Sequence, residues 1–139
     1  MDTFRLRIVT PDKDYMNDNV QGVTLSTSNG GKMTIYAHHA DLIANIDISP
    51  LEITNNGHRT YYAVGGGALH IRNRENLVTL IVNSIESIDE IDLARAKESK
   101  IRAEKIIGEA KTPREALELE RQIKRAINRI KVKTDFRNV

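Results

Sequence analysis

The sequence predicts an α+β chain, with an all-β part of seven or more short strands first and an antiparallel two-helix hairpin after it. Three observations carry this. A period-two alternation with β-branched runs extends from Thr3 to about Asn83. The composition changes after Glu90, where Gly and β-branched residues give way to Ala, Arg, Glu, Lys and Ile, better helix formers on average. A coincidence of helix-start signals falls at Thr112-Pro113-Arg114-Glu115.

In chain order, Phe4, Leu6 and Ile8 alternate with Arg5 and Arg7, and Pro11-Asp12-Lys13-Asp14 closes this run. Val20–Thr27 forms the next and ends at Ser28-Asn29-Gly30-Gly31, residue types that tolerate the positive φ of a tight turn. Met33–Tyr36 and Ile43–Ile48 follow. Leu51–Thr54 and His58–Val64 flank Asn55-Asn56-Gly57, and an Asn-Gly step between two β-like runs is a strong hairpin signal. Ala68–Arg72 and Leu77–Val82 make a second hairpin across Asn73-Arg74-Glu75-Asn76. Short strands at this spacing imply a sandwich or a barrel. Residues 91–110 then form a first helix with a weak stripe of Ile91, Ala94, Ile101 and Ile106. The second starts at Thr112, with Thr as N-cap, Pro at the first helical position and Glu three residues on. Its stripe is Ala116, Leu119, Ile123, Ala126/Ile127 and Ile130, and it ends near Lys133. Two short helices have little core of their own and need a partner surface.

Composition removes several kinds of chemistry. The 139 residues hold no Cys and no Trp, which excludes a disulfide scaffold, a thiolate metal site and a cysteine nucleophile and suits a reducing compartment. No run approaches the roughly 18 apolar residues of a spanning helix, and Met1-Asp2-Thr3-Phe4-Arg5-Leu6 lacks the apolar core of a signal peptide. Direct membrane insertion is not expected. The 21 basic and 19 acidic residues divide unevenly: the first 90 residues carry 7 and 11, a balance of −4, and residues 91–139 carry 14 and 8, a balance of +6.

Motifs for phosphate-loop and metal chemistry fail on inspection. Gly65-Gly66-Gly67 has no Lys-Ser/Thr after it and reads as a bulge or close backbone approach within a strand. Gly31-Lys32 has Ser26 where a P-loop needs Gly and Met33 where it needs a hydroxyl. His38 and His39, adjacent on a strand, would point to opposite faces and could not share a metal ion. No nucleophile elbow exists, and no catalytic site is expected. The helices are more informative. Asp92, Arg95 and Arg102 fall close to one face of the first, and Arg121, Arg125 and Arg129 form a ladder on the second. Like charges at i, i+4 disfavour an isolated helix by about 0.2–0.5 kcal/mol per pair, so the ladder calls for partner carboxylates or an anion, for which the guanidinium fork is suited. The alternative is a solvated face with Glu118 pairing Arg121. A nucleic-acid-binding hairpin is a further alternative, disfavoured by scarce aromatics, Phe136 being the one in this half.

Together these segments resemble the epsilon chains of rotary F-type ATP synthases. Phe4-Arg5-Leu6-Arg7-Ile8-Val9-Thr10-Pro11 is similar to the family's opening strand and Thr-Pro stop, and Ala63-Val64-Gly65-Gly66-Gly67-Ala68-Leu69-His70-Ile71 to its V-x-G-G-F-L-E-V segment. Ile91-Asp92-Leu93-Ala94-Arg95-Ala96 fits I/L-D-x-x-R-A, and Lys124-Arg125-Ala126-Ile127-Asn128-Arg129-Ile130 matches the second helix. Gly31 to Leu42 departs from G-x-x-G-I-L-P-x-H-A-P-L at Thr34, Ala37 and Asp41 while His39, Ala40 and Leu42 keep the register. The resemblance implies a β-sandwich of about ten short strands in two sheets over residues 1–87, binding the gamma chain and the c-subunit ring. It implies a regulatory helical hairpin over residues 88–139. The subunit would be non-catalytic, part of the central stalk of a proton-translocating complex. Its hairpin would pass between a docked state and an extended one that meets the alpha and beta chains and impedes ATP hydrolysis. No cofactor is required and no metal or nucleic acid is implied, but ATP is a regulatory ligand in some bacterial members. Carried over by motif, its site is Glu86, Ile91, Asp92, Arg95, Arg102, Arg125 and Arg129. The alternative within the family is an assembly module without ATP sensing. The implied location is peripheral, on the cytoplasmic side of a bacterial cell membrane, with the stromal side of a chloroplast thylakoid less favoured.

Overall fold

The computed structural model describes residues 2–139. Eight strands precede two helices: β1 (Phe4–Val9), β2 (Asp14–Val20), β3 (Gly22–Thr27), β4 (Gly31–Tyr36), β5 (Leu42–Asn55), β6 (His58–Arg72), β7 (Leu77–Val82), β8 (Ile85–Ser87), α1 (Leu93–Ile106) and α2 (Pro113–Asp135). The strands run in the order β2-β1-β7-β6-β5-β3-β4, with β8 added to β6. All neighbours are antiparallel except β1 and β7.

The two long strands make the sandwich. β5 and β6 pair from Leu42↔Ile71 to Asn55↔His58, yet their halves have different outer neighbours. Gly67–Arg72 of β6 carries β7, Tyr62–Val64 carries β8, and the far end of β5 carries β3. Each long strand therefore serves both layers, and the ten segments expected in two sheets are eight strands, two of them counted twice. The layers close over Phe4, Leu6, Ile8, Leu25, Ile35, Leu51, Leu69 and Leu80, all almost fully buried. The crossing lies at Gly65–Gly67, where the pairing skips from Ile46↔Gly67 to Ile48↔Gly65. Gly66 takes φ +85° there, a region that favours glycine, and a Cβ on Gly67 would stand 2.1 Å from the carbonyl oxygen of Ile81. The glycine run is a close backbone approach within a strand.

In the strand region three details differ from the sequence expectation. The run placed at Val20–Thr27 is interrupted at Gln21, and Asp14–Val20 is a strand of its own. That strand is an edge paired only to β1 and mostly exposed, so it lacks an apolar alternation. Pro50 lies inside β5 rather than between two strands, at a place where the β3 ladder is itself irregular. His38, at φ +62°, lies in the turn after β4 and His39 in the irregular segment that follows, instead of on a strand.

Asp92 caps α1 by accepting the Arg95 N–H at 3.1 Å. Thr112 caps α2 by accepting the Glu115 N–H at 3.1 Å, and Glu115 answers by accepting the N–H of Lys111 at 2.9 Å. The stripe expected on α1 is not its buried face: Ile91 is buried, but Ala94, Ile101 and Ile106 are exposed, while Ala96 and Ala103 are covered. The principal neighbour of α1 is α2, and small side chains there allow close approach. On α2, Ala116, Leu119, Ile123, Ala126 and Ile130 are covered or half-covered, Ile127 is exposed, and a second face carries Asn128 and Val132 onto β5 and β6.

Candidate functional site

The junction between the hairpin and the sandwich is built from four contacts. Asn128, buried on α2, donates its side-chain amide to the carbonyl oxygens of Ser49 (3.0 Å) and Val64 (3.2 Å). Val132 packs with Ala63 of β6 and Ile91 of the linker. The Lys133 ammonium donates to the carbonyl of Ile88 at 2.7 Å. The guanidinium of Arg129 pairs with the Glu86 carboxylate of β8.

The linker between β8 and α1 is closed by Glu90. One carboxylate oxygen accepts both the Ser87 N–H at 2.9 Å and the phenol of Tyr15, on the edge strand β2, at 2.6 Å. The Tyr15 bond, followed by the Ser87 backbone bond, holds the Glu90 carboxyl below its ordinary range. Burial, then the bond to Glu90, pushes the Tyr15 phenol well above its usual value. Because the folded value of Glu90 is depressed, its contribution is present above the ordinary glutamate range and is lost as pH falls through the folded value. Titration of the Glu90 carboxyl by NMR is expected to show a depressed midpoint, and Tyr15→Phe should return it toward the ordinary range.

Beside this linker lies a cleft of about 380 Å³ lined by Glu86, Glu90, Asp92, Arg95, Ala96, Ser99 and Arg129. Of the seven residues carried over by motif, Glu86, Asp92, Arg95 and Arg129 line it, with arginines from both helices meeting there. Ile91 is buried beside it in the Ala63–Val132 cluster and presents no side chain to the cleft. Arg102, exposed on α1, and Arg125 are not among its lining residues. Arg125 turns to a separate groove of about 600 Å³ between α2 and the Gly65–Gly67 crossing, with Arg121, Lys124 and Asp47. Glu118 pairs Arg125 at 3.1 Å rather than Arg121; a spacing of seven residues returns to the same helix face. Among the described residues of the cleft, Arg95 is the cation without an ion pair, whereas Arg129 is shared with Glu86. Each buried side-chain polar atom among the described residues has a hydrogen-bond partner.

Sequence reasoning missed Asn128, Lys133 and the Tyr15–Glu90 bond. Asn128 carries one weak signal, an amide between apolar positions on a stretch of otherwise charged and aliphatic residues. Lys133 and Tyr15 have none, since an exposed lysine and an edge tyrosine look the same whether or not they find a partner.

The chain is thus a β-sandwich followed by a docked helical hairpin, with a charged cleft at their junction. Residues 3–88 match the family model for the beta-sandwich domain of the ATP synthase delta/epsilon chain, and residues 89–134 match the model for its long alpha-helix domain. The chain belongs to the ATP synthase delta/epsilon family. It is 38% identical over 133 residues to the ATP synthase epsilon chain of Ruminococcus albus, covering 95% of this chain and 97% of that one. The corresponding chain of Bacillus mycoides is 35% identical over 132 residues, with the same coverage of each. In fold it is similar to a chain in a cryo-EM structure of the Euglena gracilis mitochondrial ATP synthase, OSCP/F1/c-ring (TM-score 0.73, 18% identity, 88% of this chain and 76% of that chain). It is also similar to one in the central stalk/c-ring structure of the Tetrahymena thermophila mitochondrial ATP synthase (TM-score 0.69, 16% identity, 94% and 96%). No helix among the described residues is long and apolar enough to cross a membrane.

Proposed function

We propose that the chain is a non-catalytic rotor subunit of a proton-translocating F-type ATP synthase, and that its hairpin is a releasable regulator of ATP hydrolysis that ATP holds in the docked position. Family membership supports the rotor role: the sandwich would join the gamma chain to the c-subunit ring, peripheral to the membrane and on the cytoplasmic side in a bacterium. Catalysis belongs to the alpha and beta chains.

The observation that carries the regulatory half is the cleft, whose walls come from both parts of the chain: Glu86 from the sandwich, Glu90 and Asp92 from the linker, Arg95 and Arg129 from the two helices. A ligand filling it touches the sandwich, the linker and both helices at once, parts that separate when the hairpin lifts, so it favours the docked state by its differential affinity. Arg95 offers a guanidinium to phosphate, Arg129 can share its own between Glu86 and phosphate, and the carboxylates can accept from an adenine amine or a ribose hydroxyl. Arg102 and Arg125 would join only by side-chain movement. On the hairpin's outer surface Ile101 (52% exposed) and Ile127 (47%) face water, an arrangement that fits an element with a second partner in the catalytic head.

The test is an ATP titration of the isolated chain followed by NMR. Shifts at Arg95 and Arg129 are expected, with affinity falling at least tenfold in Arg95→Ala, the range for one charged hydrogen-bonding group. No shift at millimolar ATP would sink the sensing role and leave the rotor role standing. Removing the chain after Glu90 should raise ATP hydrolysis by the assembled enzyme; an unchanged rate would leave an assembly module.

A further inference from the structure

Phe136 ends α2 in an extended conformation, φ −114° and ψ 152°, and the three residues after it run along the edge of β6. Arg59 and Val139 exchange both backbone hydrogen bonds: the Arg59 N–H donates to Val139 at 2.7 Å and the Val139 N–H to Arg59 at 2.9 Å. That reciprocal exchange is the hydrogen-bonded rung of an antiparallel pair. Two residues further along β6, the Asn138 side-chain oxygen accepts the Tyr61 N–H at 2.9 Å. The Phe136 ring stacks on Tyr61, centroids 4.8 Å apart and planes within 15°. β8 covers only Tyr62, Ala63 and Val64 on this edge, so the segment continues the same rank of the sheet toward His58. It lies beyond residue 134, where the match to the long-helix model ends.

We propose that Arg59–Tyr61 of β6 is a β-augmentation site whose occupant is Phe136–Val139, and that this strap sets how readily the hairpin leaves the sandwich. The inference rests on the reading of the hairpin as releasable. A strand edge presents unpaired N–H and C=O groups that recruit an extended segment through the backbone. Here the recruited segment is joined to the end of α2, so α2 cannot lift as a body without peeling it away. The covalent join gives a four-residue segment a high effective concentration at an edge it would hold only weakly as a free peptide. Its contacts are one backbone rung, one side-chain bond and one ring stack, few enough for the strap to open before the Asn128 contacts do.

The experiment compares the full chain with a variant lacking Phe136–Val139 and with full-length Phe136→Ala/Asn138→Ala, which keeps the backbone and guards against an artefact of truncation. Hydrogen exchange is followed at the Arg59 and Tyr61 amides, which report the strap, and at the Asn128 side-chain amide, which reports docking. In the truncated chain, exchange at all three sites should accelerate at least tenfold, with a smaller change in the double variant and an unaltered urea midpoint for the sandwich. Unchanged protection of Arg59 and Tyr61 after truncation would overturn the strap itself. Loss there with no change at Asn128 would overturn its control of docking. Faster exchange at all three sites with no change in ATP hydrolysis by the assembled enzyme would support the strap and count against the regulatory reading instead.

Discussion

Asn128→Ala should detach α2 from the sandwich while the sandwich stays folded. The wild-type amide meets two backbone carbonyls, Ser49 at 3.0 Å and Val64 at 3.2 Å, inside the interface between α2 and the β5–β6 pair. Alanine removes both donors, strips those acceptors of this partner and opens a small void. An unsatisfied buried polar group costs about 1–3 kcal/mol, so docking should weaken by about 2–6 kcal/mol for the pair. The methyl resonances of Ala63 and Val132, in contact across the junction, should move toward those of separated parts. Asn128→Asp is the sharper variant, since a carboxylate of the same shape aims negative charge at two carbonyl oxygens and should weaken docking further. Unmoved methyls in both variants would assign docking to the Arg129–Glu86 pair and the Val132 contact. The sandwich midpoint in urea should barely change, because Asn128 contributes nothing to the Leu6–Leu69–Leu80 core.

Gly67→Ala should damage the sandwich instead. The added Cβ would stand 2.1 Å from the Ile81 carbonyl oxygen and 2.7 Å from the Val82 Cα, both backbone atoms of β7 that no rotamer change can move aside. Relief requires separating β6 from β7 at the point where β6 crosses between layers. Overpacking against backbone of this kind costs about 3 kcal/mol, read as a fall in the urea midpoint. Gly67 also sits at φ +156°, so Gly57→Ala serves as the dihedral control: its φ is +79° with open space around the Cβ, and only the positive-φ penalty of about 1–2 kcal/mol is expected there. Equal losses at the two positions would show that close approach is not what the glycine run provides.

Much of this architecture was legible in the sequence because its signals are local. Asn55-Asn56-Gly57 forms the β5–β6 turn, and Thr112-Pro113-Arg114-Glu115 starts α2 with the Thr112 cap bond in place and Glu115 reaching one residue past the cap to Lys111. Strand β2 was hidden because an exposed edge needs no apolar alternation, and the length of β5 was hidden because Pro50 reads as an end. The α1 stripe misled for a different reason. Helix periodicity marks which residues share a face but not which face is covered, and against a neighbouring helix Ala96 and Ala103 fit where isoleucines would not. The cleft was half legible. Motif register carried Glu86, Asp92, Arg95 and Arg129 to one place, but the direction of Arg125 depends on Glu118 and on the sheet crossing, which no spacing in the helix reveals. Asn128 and the Tyr15–Glu90 bond join residues 79 and 75 positions apart, a separation at which sequence pattern carries no pairing information.

The single parallel contact of the sheet bears on how the molecule is made. β1 lies between β2 and β7, and its pairing with β7 sets Arg5 beside Leu77 and Val9 beside Ile81. A growing chain can form β3, β4, β5 and β6 from successive hairpins, but its opening strand has no second neighbour until residue 82 has left the ribosome. Contacts of such long separation must overcome loop-closure entropy first and slow folding relative to helical proteins of equal size. The β1–β2 pair therefore waits as an unfinished edge through most of synthesis. The helices, which need no such wait to form, acquire their docking surface only once the strands beneath them have assembled.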